Sequence, residues 1–216
     1  MSTPEIVSMT PDGSVRWRRY RERGGYFFHP IGVPAEEVAK VRHALAATNT
    51  ELVSARGKTA DISKYGQLVL KRYRPVLLEP QHAGRFENFR MNVALTHALR
   101  DRPRVAESRW RLRGPRYHGA FIGDNDQVPS TWAMEYIDGR ALTDVIETLP
   151  RSLAVSILPS KLEEVTWDAA EAGGIAHHLY EDEHNGNYIV PRTSIEAFQD
   201  KDTDLELVRI DVGSYE

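Results

Sequence analysis

The spacing of apolar residues divides this chain into helical and extended segments. Apolar side chains recur every third or fourth position in four stretches, a spacing that predicts α-helices. These stretches are residues 34–47, 86–99, 141–149 and 161–172. In the first of them Val38, Val41 and Leu45 share one face. Gly173 and Gly174 follow the last stretch, and glycine commonly ends a helix.

Short apolar runs between these helices predict strands. The runs are residues 51–55, 68–71, 110–112, 131–137, 188–190 and 205–210. Turn residues separate several of them, including the pair at 138–139. The first part of the chain is therefore predicted to be rich in sheet with one main helix, and the second part to be more helical. We expect an α+β fold of two lobes with a cleft between them.

Composition narrows the classes of function. The 216 residues include no cysteine, which excludes disulfides, thiol catalysis and cysteine-based zinc sites. The formal net charge is -3, so nucleic acid is not an expected partner. No apolar run is long enough to span a bilayer, and the N-terminus has no signal-peptide pattern. We expect a cytoplasmic protein, peripheral at most to the inner membrane.

One local cluster of charge stands out near the N-terminus. The segment Arg16–Arg23 contains five arginines interleaved with Trp17 and Tyr20. Such a segment is typical either of a solvated basic arm or of a surface that binds phosphates or an anionic membrane face. Both interpretations stay open from the sequence.

Two features in the first half of the chain suit phosphate binding. Gly57, Lys58 and Thr59 form a turn between two predicted strands, and Lys71 stands at the end of an apolar strand. A nucleoside triphosphate is a dense anion, and a lysine fixed on a strand can hold its phosphates.

Two features in the second half suit metal binding and proton transfer. Asp182 and Asn187 are five positions apart, just before the strand at 188–190, and Asp211 ends the last predicted strand. Carboxylate and amide oxygens are suitable magnesium ligands, and a separate carboxylate can accept the proton of an attacking hydroxyl. Protein kinases have the same spacing between catalytic Asp and metal-binding Asn, and an Asp-Phe-Gly signature further on. Here Asp-Val-Gly occupies that later place, at 211–213.

Together these motifs resemble the kinase-like phosphotransferase superfamily. Residues 182–189 are similar to its Asp-x-His-x-Gly-Asn loop, residues 68–74 to its third strand, and residues 132–139 to the hinge between its lobes. The nearest members are bacterial lipopolysaccharide core kinases and RIO-type or aminoglycoside phosphotransferase-like kinases. The resemblance covers residues 50–216.

The resemblance implies a protein kinase-like fold in two lobes. Residues 1–48 would form a basic arm and a helix, and residues 49–137 an antiparallel-sheet N-lobe with one main helix. Residues 138–216 would form a helical, truncated C-lobe.

It also implies an ATP-dependent kinase that uses magnesium (Mg2+) and transfers the γ-phosphoryl group to a hydroxyl acceptor. The acceptor would be a lipopolysaccharide core sugar or a protein Ser/Thr. Asp182 would be the catalytic base, and Asn187 and Asp211 the Mg2+ ligands. The nucleotide-binding residues would be Gly57, Lys58, Lys71 and the hinge residues Glu135, Tyr136 and Ile137.

The chain departs from the family pattern at the partner of the lysine. Kinases carry a Glu on the helix that follows the lysine strand, but Asn92 occupies the matching register here. Glu87 is the nearest upstream carboxylate, and it reaches Lys71 only if the helix is shifted. Only one glycine lies near the phosphate-binding turn, at Gly57.

Two alternatives remain open. A pseudokinase or nucleotide-binding module without catalysis is consistent with Asn92 and the poor glycine loop, although the four key residues of a kinase site are present. A metal-dependent hydrolase is the other alternative, because His177, His178 and His184 are close in sequence and imidazole binds transition metals.

Overall fold

A computed structural model describes residues 3–54, 60–73, 82–125, 128–176 and 187–210. It combines a large antiparallel sheet with several helices, which confirms the predicted α+β class. The chain divides into two compact units. Unit 1 comprises Met1–Arg90 and Arg116–Tyr136, and unit 2 comprises Met91–Pro115 and Ile137–Glu216.

The secondary-structure elements follow one another closely along the described residues. The strands are β1 (Glu5–Ser8), β2 (Arg16–Glu22), β3 (Gly25–Pro30), β4 (Glu51–Ser54), β5 (Ala60–Tyr65), β6 (Leu68–Tyr73), β7 (Trp110–Arg113), β8 (Tyr117–Gly123), β9 (Thr131–Glu135), β10 (Gly139–Ala141), β11 (Tyr188–Pro191) and β12 (Leu205–Arg209). The helices are α1 (Ala35–Ala46), α2 (His82–Ala98), α3 (Leu142–Val145), α4 (Arg151–Val155), α5 (Pro159–Ala172) and α6 (Arg192–Glu196).

Unit 1 is built on an eight-stranded sheet. The strands lie in the order β1-β2-β3-β8-β9-β6-β5-β4, and each neighbouring pair is antiparallel. Within it, β4, β5 and β6 form a meander in which each strand pairs with the next. The third strand of this meander, β6, carries Lys71 and leads along the chain to α2.

The helices of unit 1 cover opposite faces of this sheet. Helix α1 buries Val41, Ala44 and Leu45 against one face, with side chains from three strands. Those strand residues are Phe27, Leu70 and Ala133. The first part of α2 covers the other face, where Phe89 contacts four rings. The rings belong to Trp17, Phe28, Tyr117 and Trp132. Successive strand residues point to opposite faces, so Phe27 and Phe28 contribute to different layers.

The strands at the N-terminus differ from the prediction for residues 1–48. The predicted helix is present as α1, but the basic segment is the strand β2 of the sheet rather than an arm. The alternation of buried and exposed residues in β2 explains why the segment is a strand. Trp17 is 3% exposed, while Arg16 and Arg18 on either side of it are exposed. Period-two alternation of buried and exposed side chains is the signature of a strand with one covered face.

Unit 2 contains a second, four-stranded sheet in the order β10-β11-β12-β7. Strands β12 and β7 are parallel, and the other neighbouring pairs are antiparallel. Its core is mainly aliphatic and draws on both strands and helices. Fully buried members include Leu99, Leu112, Leu142, Ile157, Leu162, Val190, Leu205 and Leu207.

Several predicted elements of unit 2 have different bounds in the structure. The turn predicted at 138–139 is partly strand, because β10 begins at Gly139. The helix predicted over 141–149 is shorter: α3 ends at Val145, and a single 3-10 turn follows. The helix predicted over 161–172 starts two residues earlier, at Pro159, which suits a first-turn position.

Among the described residues, no helix combines the length and apolar character needed to cross a membrane.

Candidate functional site

Lys71 lies on the face of the sheet that α2 covers. On β6 it is opposite Ile62 of β5 and Trp132 of β9. The residue is only 8% exposed. Its Nζ lies 5.1 Å from the ring centroid of Tyr73 and 5.3 Å from that of Trp132. Lys71 is therefore a buried cation held against two aromatic rings, a favourable arrangement for an ammonium group.

The turn predicted to cover phosphates lies outside the described residues. Gly57 and Lys58 belong to the segment 55–59, which connects β4 and β5 in sequence. The two strands that flank this segment pair with each other, with an irregularity between Leu52 and Ser54. The turn itself stays a prediction.

Helix α2 does not offer Glu87 to Lys71. Glu87 is exposed and forms an ion pair with Arg90 one turn along the helix, with Oε2 and Nη2 separated by 2.6 Å. Asn92, in the register of the missing glutamate, is 3% exposed and belongs to unit 2. A carboxylate from Glu87 therefore does not position the lysine in this structure.

Helix α2 instead brings a cation, Arg85, to the ring of Tyr73, which Lys71 also contacts. Arg85, also 8% exposed, places its Cζ 4.2 Å from the ring centroid of Tyr73. The rings of Tyr73 and Trp132 are themselves 4.8 Å apart. The sequence patterns did not indicate Arg85, since a cation on a ring face depends on tertiary packing and leaves no periodic signal.

The predicted adenine-binding hinge lies where the chain passes from unit 1 to unit 2, between Tyr136 and Ile137. Two of its backbone donors are already used: Glu135 N–H donates to Arg116 O at 2.8 Å, and Tyr136 N–H to Gln67 O at 3.0 Å. Adenine would therefore have to use other backbone groups of this segment.

An antiparallel strand pair in unit 2 begins next to one predicted metal ligand, Asn187. Strands β11 and β12 are antiparallel, with Tyr188 opposite Arg209. The backbone N–H of Ile210 donates to the carbonyl oxygen of Asn187 at 2.8 Å. Asn187 is thus bonded to the residue that immediately precedes Asp211 in sequence, and is itself 7% exposed. Asp211 lies outside the described residues.

The same strand pair contains a buried arginine that sequence reasoning missed. Arg209 is 4% exposed, and its Nη1 donates to Thr166 Oγ1 at 3.0 Å and to Tyr188 Oη at 3.1 Å. It therefore connects α5, β11 and β12. A signal was present in the sequence, because Arg209 shares a strand face with Leu205 and Leu207, both fully buried.

The catalytic-base candidate and the histidine-rich segment lie outside the described residues. Asp182, His177, His178 and His184 all fall within 177–186. In the parts of the chain that the structure describes, no three His, Asp or Glu side chains come together as a metal-binding group. The catalytic role of Asp182 and the metal-dependent hydrolase alternative stay predictions.

Part of the basic segment is already engaged within unit 1. Arg19 forms an ion pair with Glu5, and Arg21 Nη2 lies 2.9 Å from Asp124 Oδ2. Both guanidinium groups also lie over the ring of Tyr26. These contacts leave a smaller group of exposed arginines for an anionic membrane face than the sequence suggested; that partner also stays a prediction.

Comparison with known proteins adds no assignment. The chain matches no protein-family model and has no significant match among curated proteins.

Proposed function

We propose that this protein is an ATP-dependent, magnesium-dependent kinase with a two-lobed kinase-like fold, and that it transfers the γ-phosphoryl group of ATP to a hydroxyl acceptor. Unit 1 would correspond to the N-lobe and unit 2 to the C-lobe. The observation that carries the proposal is the β11–β12 strand pair. Its hydrogen bond from Ile210 to Asn187 joins the two motif segments that contain the expected metal ligands.

The arrangement around Lys71 gives independent support. In protein kinases the phosphate-binding lysine is on the third strand of the N-lobe, and the next helix packs beside it. Here Lys71 is on the third strand of the β4–β5–β6 meander, and α2 is the next helix in the chain. The connection between the first two strands of this meander contains Gly57, in the position of a phosphate-covering loop.

The available donor atoms fit a nucleotide and magnesium. Lys71 supplies a fixed ammonium group for phosphate, and Asn187 supplies an amide oxygen, which is a hard ligand of the kind that magnesium prefers. Asp211 would add a carboxylate oxygen. When bound, magnesium would neutralise part of the charge on the phosphates.

Each remaining step would be performed by residues of the chain. Lys71 would hold the phosphates in a fixed place, and backbone groups around Glu135–Ile137 would orient the base. Asp182 would accept the proton of the acceptor hydroxyl. Catalysis in this class comes mainly from positioning and electrostatics, so loss of a positioning group should lower turnover steeply.

Nucleotide binding is the first test. Titration calorimetry of the wild-type protein with ATP should give binding that tightens when magnesium is added. Asp211→Ala should remove most of the magnesium-dependent gain. Asp168→Ala is the matched control, because Asp168 is an exposed carboxylate on α5. A folded wild-type protein that does not bind ATP with or without magnesium would refute the proposal.

Turnover separates a kinase from a module that only binds nucleotide. The assay is magnesium-dependent release of ADP from ATP, first with water alone and then with lipopolysaccharide core sugars or Ser/Thr peptides as acceptors. Asp182→Asn should bind ATP as the wild type does but lose at least a hundredfold in turnover, the lower end of general-base effects. Equal turnover in the two proteins would exclude Asp182 as the base.

A wild-type protein that binds magnesium and ATP but gives no ADP with any acceptor would identify the pseudokinase alternative.

Association with an anionic surface is a separate part of the proposal. Arg16→Gln combined with Arg18→Gln removes two exposed charges of β2 while leaving Trp17 in place. This double variant should sediment less with vesicles that contain phosphatidylserine. Unchanged sedimentation would remove the membrane from the proposal without affecting the kinase assignment.

A further inference from the structure

The β1 edge of the large sheet in unit 1 carries an exposed mixture of apolar and basic side chains. Ile6 of β1 is directly opposite Arg18 of β2, and directly opposed residues of paired strands share one face of the sheet. Arg16, two positions before Arg18, shares that face as well. Both arginines are exposed, and Ile6 is 63% exposed. Because β1 is the first strand in the order of the described sheet, it has a neighbouring strand on one side only.

A second exposed isoleucine lies next to Arg16. The backbone N–H of Ile31 donates to the carbonyl oxygen of Arg16 at 3.3 Å, one residue after β3 ends at Pro30. Ile31 is 38% exposed. Two isoleucines and two arginines are thus neighbours at one edge of the sheet. We name this group, which consists of Ile6, Arg16, Arg18 and Ile31, the β1 edge patch.

Helix α1 covers the same face of the sheet only beyond this patch. Tyr20, two positions after Arg18, is partly buried and packs against the cluster that contains Val41 of α1. Arg18 itself is exposed. A single exposed isoleucine is ordinary on a protein surface, so the isoleucines alone would identify no partner. Their position beside two exposed arginines is the feature that narrows the class of partner.

The arginines of the β1 edge patch keep their charge for a partner outside the chain. The acidic residues of β1 and β2 are engaged with other arginines, in the pairs Glu5–Arg19 and Glu22–Arg42. Among the described residues, neither Arg16 nor Arg18 forms an ion pair. The patch therefore presents positive charge together with apolar surface, although the whole chain has a formal net charge of -3.

We infer that the β1 edge patch docks on the surface of an anionic phospholipid membrane. Ile6 and Ile31 would lie among the lipid headgroups, and Arg16 and Arg18 would bind lipid phosphates. Binding to a membrane surface combines buried apolar area with attraction to anionic lipids, and guanidinium groups bind phosphate oxygens in forked pairs. The inference rests on the anionic-surface part of the proposed function and deepens it, since it names the docking face and adds insertion to charge.

The test measures binding of the full chain to phosphatidylcholine vesicles with and without phosphatidylserine, by sedimentation over a range of lipid concentrations. Ile6→Thr keeps a β-branched strand residue but makes the side chain polar, and should weaken binding to the phosphatidylserine vesicles severalfold. Ile31→Ser should do the same. Leu52→Thr is the matched control and should bind as wild type does, because Leu52 is 60% exposed on β4, at the opposite edge of the same sheet.

Salt separates the two contributions to binding. Arg16→Gln combined with Arg18→Gln should lower the affinity at least tenfold at low salt, and this loss should shrink as added salt screens the charges. The loss in Ile6→Thr should persist at high salt, because insertion of apolar surface is not screened. Arg151→Gln combined with Arg192→Gln removes two exposed arginines of unit 2 and is the matched control for net charge.

The outcomes distinguish this inference from the proposed function. Circular dichroism and the midpoint of unfolding establish that each variant is folded. If folded Ile6→Thr and Ile31→Ser proteins bind as tightly as wild type while the double arginine variant binds more weakly, insertion is overturned and the anionic-surface association stands. Equal binding of wild type to both kinds of vesicle, or to neither, would overturn both.

A second copy of the chain is the competing occupant of this edge. A wild-type protein that does not bind vesicles but dimerises in analytical ultracentrifugation, with the dimer lost in Ile6→Thr, would assign the patch to self-association and overturn the inference. Titration calorimetry with ATP and magnesium should give the same result for every patch variant as for wild type. Vesicle binding and nucleotide binding are therefore independent results, and the kinase assignment stands or fails on the second alone.

Discussion

Both units bury cations beside aromatic rings, but the cation of unit 2 also donates to two hydroxyl groups. In unit 1, Lys71 and Arg85 lie against the rings of Tyr73 and Trp132. In unit 2, Arg209 donates to the hydroxyl oxygens of Thr166 and Tyr188, and its Cζ also lies 5.7 Å from the ring centroid of Tyr188. A ring face attracts a positive charge through its quadrupole, whereas a hydroxyl oxygen accepts a directed N–H bond. The ring contact is common to both units, and the hydroxyl contacts of Arg209 also connect α5, β11 and β12.

The hydrophobic cores of the two units also differ, in their content of aromatic side chains. Unit 1 packs aromatic rings between its sheet and α2, with Phe89 in contact with four of them. The core of unit 2 is mainly aliphatic. Arg209 connects α5, β11 and β12 through its two hydroxyl contacts, and the proposed function expects Lys71 to bind a ligand.

The largest effect is expected for Phe89→Ala. Phe89 is fully buried at the centre of the rings of unit 1, and truncation of such a residue costs about 4 kcal/mol in the free energy of unfolding. Chemical denaturation measures this. Phe86→Ala is the control, because Phe86 is only half-buried and, among the described residues, its ring contacts that of Phe28. Equal losses for both variants would contradict a ring cluster centred on Phe89.

Arg209→Met should have the next largest effect. The change leaves Thr166 Oγ1 and Tyr188 Oη without their buried donor, and hydrogen bonds to charged groups each contribute about 1.5–3 kcal/mol. A loss of about 3 kcal/mol in the free energy of unfolding is expected. Arg192→Met, at an exposed ion pair with Glu196, should cost less than about 1 kcal/mol. An Arg209→Met protein with the same free energy of unfolding as wild type would show that Arg209 has no structural role.

Lys71→Met tests the buried cation of unit 1 in the same way. Methionine keeps the apolar stem and makes favourable sulfur contacts with Tyr73 and Trp132. The free energy of unfolding should therefore fall less than in Arg209→Met, while ATP affinity in the calorimetric titration falls at least tenfold. If Lys71→Met loses as much stability as Arg209→Met, both buried cations are structural and the contrast between the units disappears.

Local periodicity was enough to predict much of the fold. Helix α1 and strands β6, β11 and β12 are present close to their predicted positions, because each has a strong apolar pattern of its own. Strand β2 was missed, since its arginines suggested a solvated arm. Its place as a strand depends on β3, which in turn pairs with β8 almost a hundred residues later. Pairing over that distance leaves no mark in a local window.

The residues of the candidate site likewise divide into those that local sequence patterns predict and those that depend on tertiary packing. Lys71 and Asn187 were predicted from motif spacing, and the structure describes both as buried residues. The contact of Arg85 with Tyr73 could not be predicted, because it depends on which ring α2 meets. Arg209 could have been, since it stands in the same strand register as two buried leucines. A sequence motif can indicate the residues that a reaction requires. It does not indicate the residues that tertiary packing places beside them.

The smallest effect is a dependence of the stability of unit 1 on pH. Burial, followed by the charges of Arg18 and Arg42, holds the pKa of His29 below its usual 6.5, although a bond to Pro30 O opposes this. A histidine with a lowered pKa in the folded state stays neutral while the unfolded chain takes up a proton. The free energy of unfolding therefore falls as pH drops below about 6.5 and is fully retained above it.

His29→Phe tests this sign. Phenylalanine cannot take up a proton and can keep the ring contacts with Tyr20 and Phe27. Denaturation between pH 7.5 and about 5 should show a shallower loss of stability than in wild type, and His43→Phe, on exposed α1 surface, serves as the matched control. His118, whose pKa is lowered first by burial and then by Arg116, leaves a residual slope in the variant. An unchanged slope in His29→Phe would mean that His29 takes up its proton in the folded state as readily as in the unfolded one.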